Sequence, residues 1–165
     1  MKKMLFMLML LAPMATFAQK FGHVDTQAIM QSLPELSKVN GELEALSKEY
    51  QNQLEEMQKE LQTKSENYQK MQSTMNETKK QETEAELNKL YEKYQQALQD
   101  NQVAFQKAQQ EKMQPIQDKV FQAIENVGKN GGYVYIMQTG SLPYISSTLS
   151  TDVTAAVKAE LQKMK

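Results

Sequence analysis

From Leu36 the apolar residues recur at Val39, Leu43, Leu46, Tyr50, Leu54, Met57 and Leu61, then at Tyr68, Met71 and Met75. Steps of three and four alternate, the signature of a coiled-coil seam, and predict one long amphipathic helix. From Leu43 the steps to Leu46, Tyr50 and Leu54 are three, four and four, an eleven-residue spacing that relaxes a left-handed supercoil locally. Lys64 falls on the next seam position, so looser packing is expected toward the far end of this helix. Between Gln72 and Glu86 the pattern collapses into polar residues without proline or glycine, and the tip of a helical hairpin is expected near 72–86. Periodicity returns at Leu87, Leu90/Tyr91, Tyr94, Leu98, Phe105, Ala108, Met113, Ile116, Val120, Ile124 and Val127, with Asn101 and Gln109 interrupting it. Pro115 lies inside this return helix; it removes one backbone hydrogen bond and is a candidate hinge.

The segments outside the hairpin read differently. Lys20–Asp25 predicts a short strand and Thr26–Gln31 a brief helical turn, with Ser32 and Glu35 spaced as a capping box around Pro34. Gly128–Gly132 is expected to stop the return helix. Tyr133–Gln138 (YVYIMQ) predicts a strand covered on both faces, and Ser141–Ser146 a strand running back beside it, held to an edge by Pro143. Asp152 is expected to cap a last helix with Val153, Ala156, Val157, Leu161 and Met164 on one stripe. The expected fold is therefore mainly α: an antiparallel coiled-coil arm over 34–127, projecting from a small β-containing body made of 19–33 and 128–165. A body of about 50 residues is near the limit for a single core, so self-association is expected to complete it. Phe21, Val24, Val134, Ile136 and Ile145 are the residues expected to build that oligomerisation body.

Composition narrows the function. Lys2 and Lys3, the apolar run Met4–Leu11, Pro13 and the small residues of Thr16-Phe17-Ala18 read as a cleavable signal peptide over residues 1–18, so the mature chain is expected to be exported. Cleavage removes two of the 19 lysines, leaving 17 against 20 acidic side chains, a formal balance of −3. No arginine occurs, and an acidic chain without guanidinium forks is not expected to bind nucleic acid. With no cysteine and a single histidine, His23, there is no catalytic set, no metal site and no cofactor motif, so no enzyme is expected.

Taken with their order around the hairpin, the end segments resemble the Skp/OmpH family of periplasmic chaperones. The matching residues are KFGHVDTQAIMQSLPE at the start, Pro115-Ile116 with Lys119-Val120 and Ala123-Ile124 in the return helix, the GGYVYIM strand, and Asp152-Val153-Thr154 with Val157. The resemblance implies a jellyfish-like homotrimer whose helical arms enclose a cavity for unfolded outer-membrane β-barrel proteins. It also implies an ATP-independent holdase that prevents their aggregation. Well-studied members are strongly basic, whereas this mature chain is mildly acidic, so contact with lipopolysaccharide or membrane surfaces is not carried over. On the arm, Tyr50, Met57, Tyr68, Met71, Met75, Tyr91 and Tyr94 are the candidate client contacts, because thioether and phenol side chains adapt to varied apolar partners; each also fits as seam filler. The competing expectation is a structural coiled-coil adaptor or spacer of the cell envelope, although adaptors of that kind flank their hairpins with further domains.

Overall fold

The computed structural model describes residues 19–164, so the expected signal peptide, 1–18, lies outside the described residues. In chain order the elements are β1 (Lys20–Val24), α1 (Thr26–Gln31), α2 (Pro34–Met71), α3 (Glu77–Gly131), β2 (Tyr133–Gln138), a 3-10 turn (Thr139–Ser141), β3 (Ser150–Asp152) and α4 (Thr154–Lys163). The long helices and the strands β1 and β2 are those the sequence predicts. At 1.5 Å per residue, the 38 residues of α2 and 55 of α3 extend roughly 57 and 82 Å. The chain divides into two compact units: one closes at Thr26 and resumes at Gln122, and the other is Gln27–Phe121.

The first unit holds the sheet, in the order β2-β1-β3 with both neighbours parallel to β1. Here the expectation of a returning strand at Ser141–Ser146 is corrected. Residues 139–141 form the 3-10 turn and the third strand is Ser150–Asp152, pairing Phe21 with Ser150 and His23 with Asp152. Pro143 has no N–H for a ladder, and a strand parallel to β1 needs a connection that crosses over instead of a tight turn. At Gly22, β1 and β2 come close enough that a Cβ would stand 3.1 Å from Ile136 Cγ1 and 3.2 Å from Tyr133 Cδ1. Phe21 stacks on Tyr135 with ring centroids 5.2 Å apart. Buried side chains of this unit are Val24, Ala123, Val153, Val157 and Leu161, the last two from the stripe predicted on α4. Asn126 donates to Glu160 at 3.2 Å and ties the end of α3 to α4.

Local signals at helix ends act differently from expectation in three places. Ser32 does not cap α2: its hydroxyl donates to the Ile29 carbonyl at 2.7 Å and closes α1, leaving Leu33 at the α2 N-cap without a side-chain bond. Helix α3 runs through Gly128 and ends at Gly131, where Gly132 takes φ +65, a left-handed conformation that favours glycine. Asp152 stands one residue ahead of the α4 cap position, Val153, and still accepts from the Thr154 N–H at 2.8 Å.

In the second unit, α2 and α3 are joined by residues 72–76. Asn76 starts α3 by accepting the Lys79 N–H at 2.8 Å, and Thr74 bonds back to the Met71 carbonyl. Helix α3 remains a single element through Pro115. Ile29, Leu43, Ile116 and Val120 are the buried apolar side chains of this unit.

Candidate functional site

Four cross-helix contacts fix how α2 and α3 pair. Lys119 bonds Glu35 at 2.8 Å, Lys112 bonds Glu42 at 2.5 Å, Asn101 donates to Gln53 at 3.3 Å, and Tyr68 donates to Glu84. Seven residues forward on α2, from 35 to 42, correspond to seven back on α3, from 119 to 112; eleven more, 42 to 53, correspond to eleven back, 112 to 101. The helices are therefore antiparallel and in constant register over this length. Seven and eleven residues are two and three near-whole helical turns, so each step returns to the same face. From Gln53 to Tyr68 the advance is 15, against 17 from Asn101 back to Glu84, so the register slips by two residues toward the tip.

Buried Leu43 and half-buried Leu36, Val39, Leu46, Tyr50, Leu54, Met57, Leu61, Ser65 and Tyr68 trace the seam on α2. Ser65, not Lys64, takes the position after Leu61; Lys64 lies exposed and pairs with Glu60 at 3.5 Å. A four-residue step there keeps an ammonium out of the seam, where its desolvation would be costly. On α3 the seam includes Leu87, Leu90, Tyr94, Ala97, Asn101, Ala104, Phe105 and Ala108, so Ala97 replaces the expected Leu98. The small alanines admit close approach of the helices, while Leu98 is left outside.

Of the arm residues singled out from sequence, Tyr50, Met57, Tyr68, Met75 and Tyr94 are half-buried, whereas Met71 and Tyr91 are 53% exposed each. Tyr68, Met71 and Met75 come together at the tip, where with Lys64, Asn67, Thr83, Glu86 and Leu87 they line a cavity of about 170 Å³. Beyond those, α3 exposes Leu98, which periodicity assigns to the seam, and Val103 (65%) and Phe121, which periodicity does not flag. The signal was present as apolar residues lying off the seam.

The ion pairs that cross between the two helices lie at the end of the hairpin away from the tip. The bonded Lys119 ammonium holds the Glu35 carboxyl below its usual range, and Lys112 does the same to Glu42. Near the tip, the hydrogen bond from Tyr68 to Glu84 raises the phenol above its ordinary value. These are surface pairs and set geometry more than stability.

In the sheet unit, Val24 is buried, Phe21, Ile136 and Ile145 are half-buried, and Val134 is exposed. Val134, Tyr135 and Met137 leave β2, an edge strand, bare on both faces; Tyr144 and Leu149 are exposed in the loop before β3. His23 Nδ1 lies 2.9 Å from the Ser150 hydroxyl, and its backbone carbonyl accepts from Val153 at 2.9 Å, so this histidine ties β1 to β3. The neighbouring Asp152 has its pKa lowered chiefly by the Thr154 hydroxyl and backbone bonds, with a smaller contribution from His23. Among the described residues no group of three or more His, Cys, Asp or Glu side chains could hold a metal ion, and no helix is long and apolar enough to cross a membrane.

A known fold and family account for this arrangement. No curated protein matches the chain. A solved structure of a candidate outer membrane chaperone (OmpH-like) from Caulobacter crescentus CB15 superposes with a TM-score of 0.76, covering 89% of this chain and 86% of that one at 14% identity. At that identity the likeness speaks for the fold. The family model described as outer membrane protein (OmpH-like) matches residues 20–161, nearly the whole described chain, and the chain belongs to the OmpH-like family.

Proposed function

We propose that this protein is a periplasmic, ATP-independent holdase that binds unfolded outer-membrane β-barrel proteins and keeps them from aggregating. The observation that carries the reading is the hairpin's surface: long paired helices, in a chaperone family, presenting Met71, Tyr91, Leu98 and Val103 to solvent. Each such side chain contributes at most about 1–2 kcal/mol when covered, so a client would be held by several weak contacts together. Release then needs no fuel, because insertion of a β-barrel into its membrane buries far more surface than these contacts do.

The sheet unit suits self-association. A parallel edge strand with Val134, Tyr135 and Met137 uncovered would pair or pack with another copy. A cyclic homotrimer, with the body formed by 19–33 and 128–165 and the arms enclosing a client cavity, is the assembly we propose. Pro115 would allow the arms to spread for larger clients. The test is light scattering as a urea-unfolded outer-membrane β-barrel protein is diluted into buffer with residues 19–165. Suppression at about one oligomer per client without nucleotide is expected. Undiminished aggregation, from protein shown to be folded and oligomeric, would favour a structural adaptor of the envelope.

A further inference from the structure

Charge is distributed unevenly between the two helices of the hairpin. Residues 94–106 of α3 (YQQALQDNQVAFQ) contain one charged side chain, Asp100, in thirteen. The register fixed by Asn101 and Gln53 sets this stretch against residues 48–60 of α2, where six of thirteen are charged: Lys48, Glu49, Glu55, Glu56, Lys59 and Glu60. A solvent-facing helix ordinarily carries charges on its outer face, as α2 does. What stands there instead on α3 is five glutamines with Leu98 and Val103, both exposed. The Gln96 side chain donates to Asp100 at 2.8 Å, but the side-chain amides of Gln95, Gln99, Gln102 and Gln106 have no hydrogen-bond partner among the described residues.

We infer that residues 94–106 of α3 form a docking strip for an extended, unfolded polypeptide segment, recognised through its backbone and apolar side chains and not through its charge. This rests on the holdase reading and specifies its site. A glutamine amide offers both a donor and an acceptor, the same complement as a peptide group, so it can bond a backbone of any sequence. Leu98 and Val103 supply apolar contact between the amides. Thirteen helical residues extend roughly 20 Å, the reach of about six residues of extended chain. The neutral strip matches a neutral backbone and would discriminate neither acidic nor basic clients, whereas the charged face of α2 would lose solvation against one.

The experiment measures binding of a fluorescently labelled, urea-unfolded outer-membrane β-barrel protein to the full mature oligomer. Two triple variants charge the strip: Gln99→Glu with Val103→Glu and Gln106→Glu, and the same three positions to Lys. A control places Glu at the exposed α2 positions Gln51, Asn52 and Gln58. Both strip variants should bind about tenfold or more weakly, because either sign of charge must be desolvated, while the control stays within about twofold. Wild-type affinity should change by less than about threefold between roughly 50 and 500 mM salt, a measurement that requires no variant to fold. Normal binding by the strip variants, tighter binding by the lysine variant, or a steep salt dependence would overturn the strip and leave the holdase reading standing. No binding by the wild type would remove both.

Discussion

Asn101 and Gln53 meet across the hairpin at 3.3 Å, the only amide pair bridging α2 and α3 among the described hydrogen bonds. Asn101 stands in the seam between Ala97 and Ala104, where an apolar residue would bury more surface. A polar residue at such a position trades stability for register, because only one alignment gives its amide a partner. The pair also lies at the end of the constant-register region, before the slip of two residues toward Tyr68 and Glu84.

Asn101→Leu should therefore stabilise the hairpin by about 1 kcal/mol, since the orphaned Gln53 remains exposed and keeps water as a partner. Urea unfolding followed by circular dichroism reads this directly. A lowered midpoint would mean that the amide bond outweighs the apolar gain, and that the seam depends on it.

The two ion pairs at Glu35–Lys119 and Glu42–Lys112 predict a pH dependence of definite sign. Both carboxyls have their pKa lowered in the folded chain from 4.5. Their contribution is present above that value and is lost as pH falls through the lower, folded pKa. Glu35→Gln with Glu42→Gln should thus lower the urea midpoint slightly at pH 7 and have no effect at a pH below both values. High salt should shrink the difference at pH 7 as well, because both pairs are partly exposed. A difference that grew on acidification would contradict the assignment.

Much of this molecule is legible in its apolar spacing, and the misreadings have specific causes. After Leu61, a step of three reaches Lys64 and a step of four reaches Ser65; both obey the grammar of a seam, and only the desolvation of an ammonium decides between them. Leu98 draws attention as the larger apolar residue, yet the seam takes Ala97 and Ala104, whose small side chains carry little periodic signal. The third strand escapes because Ser150-Thr151-Asp152 is short and polar, and its pairing with β1 is a long-range choice that local sequence does not record. The turn into α3 was written in Asn76 as an N-cap, a signal easily passed over without glycine or proline beside it. At the candidate site, the exposed apolar residues of α3 are visible as positions that the seam leaves over. Their place outside the seam became clear only once the register with α2 was known.

Gly22 offers a test of the sheet. A methyl group there would press on Ile136 at 3.1 Å and on the Tyr133 ring at 3.2 Å, tighter than ordinary packing contact. Gly22→Ala should destabilise the protein by roughly 1–3 kcal/mol, the usual cost of overpacking between strands. The reading is thermal unfolding at fixed protein concentration. An unchanged or raised melting temperature would show that β2 moves away at little cost.

Phenol titration isolates the tip. The bond from Tyr68 to Glu84 raises that phenol above 10, so its contribution is complete below the ordinary tyrosine range and is lost as pH rises through the higher, folded value. Ultraviolet titration of the mature protein should show a phenol step above the ordinary tyrosine range, and Tyr68→Phe or Glu84→Gln should abolish that late step. A late step that survives both substitutions belongs to another tyrosine.

The apolar residues of the sheet unit divide into two groups that concentration should separate. Leu161 is 5% exposed and packed within one chain, so Leu161→Ala should cost roughly 2–4 kcal/mol, as a large-to-small change in a core does, at any protein concentration. Val134 is 49% exposed on the open strand β2, and in a lone chain Val134→Glu should cost almost nothing. If β2 is where copies meet, the same substitution buries a carboxylate in an apolar contact and should release subunits. Sedimentation velocity over a concentration series should then show a smaller species for Val134→Glu, with helix content retained under conditions where the arms still fold. An unchanged sedimentation coefficient would place the contact between copies elsewhere, with the exposed Tyr144 and Leu149 as the next surface to charge.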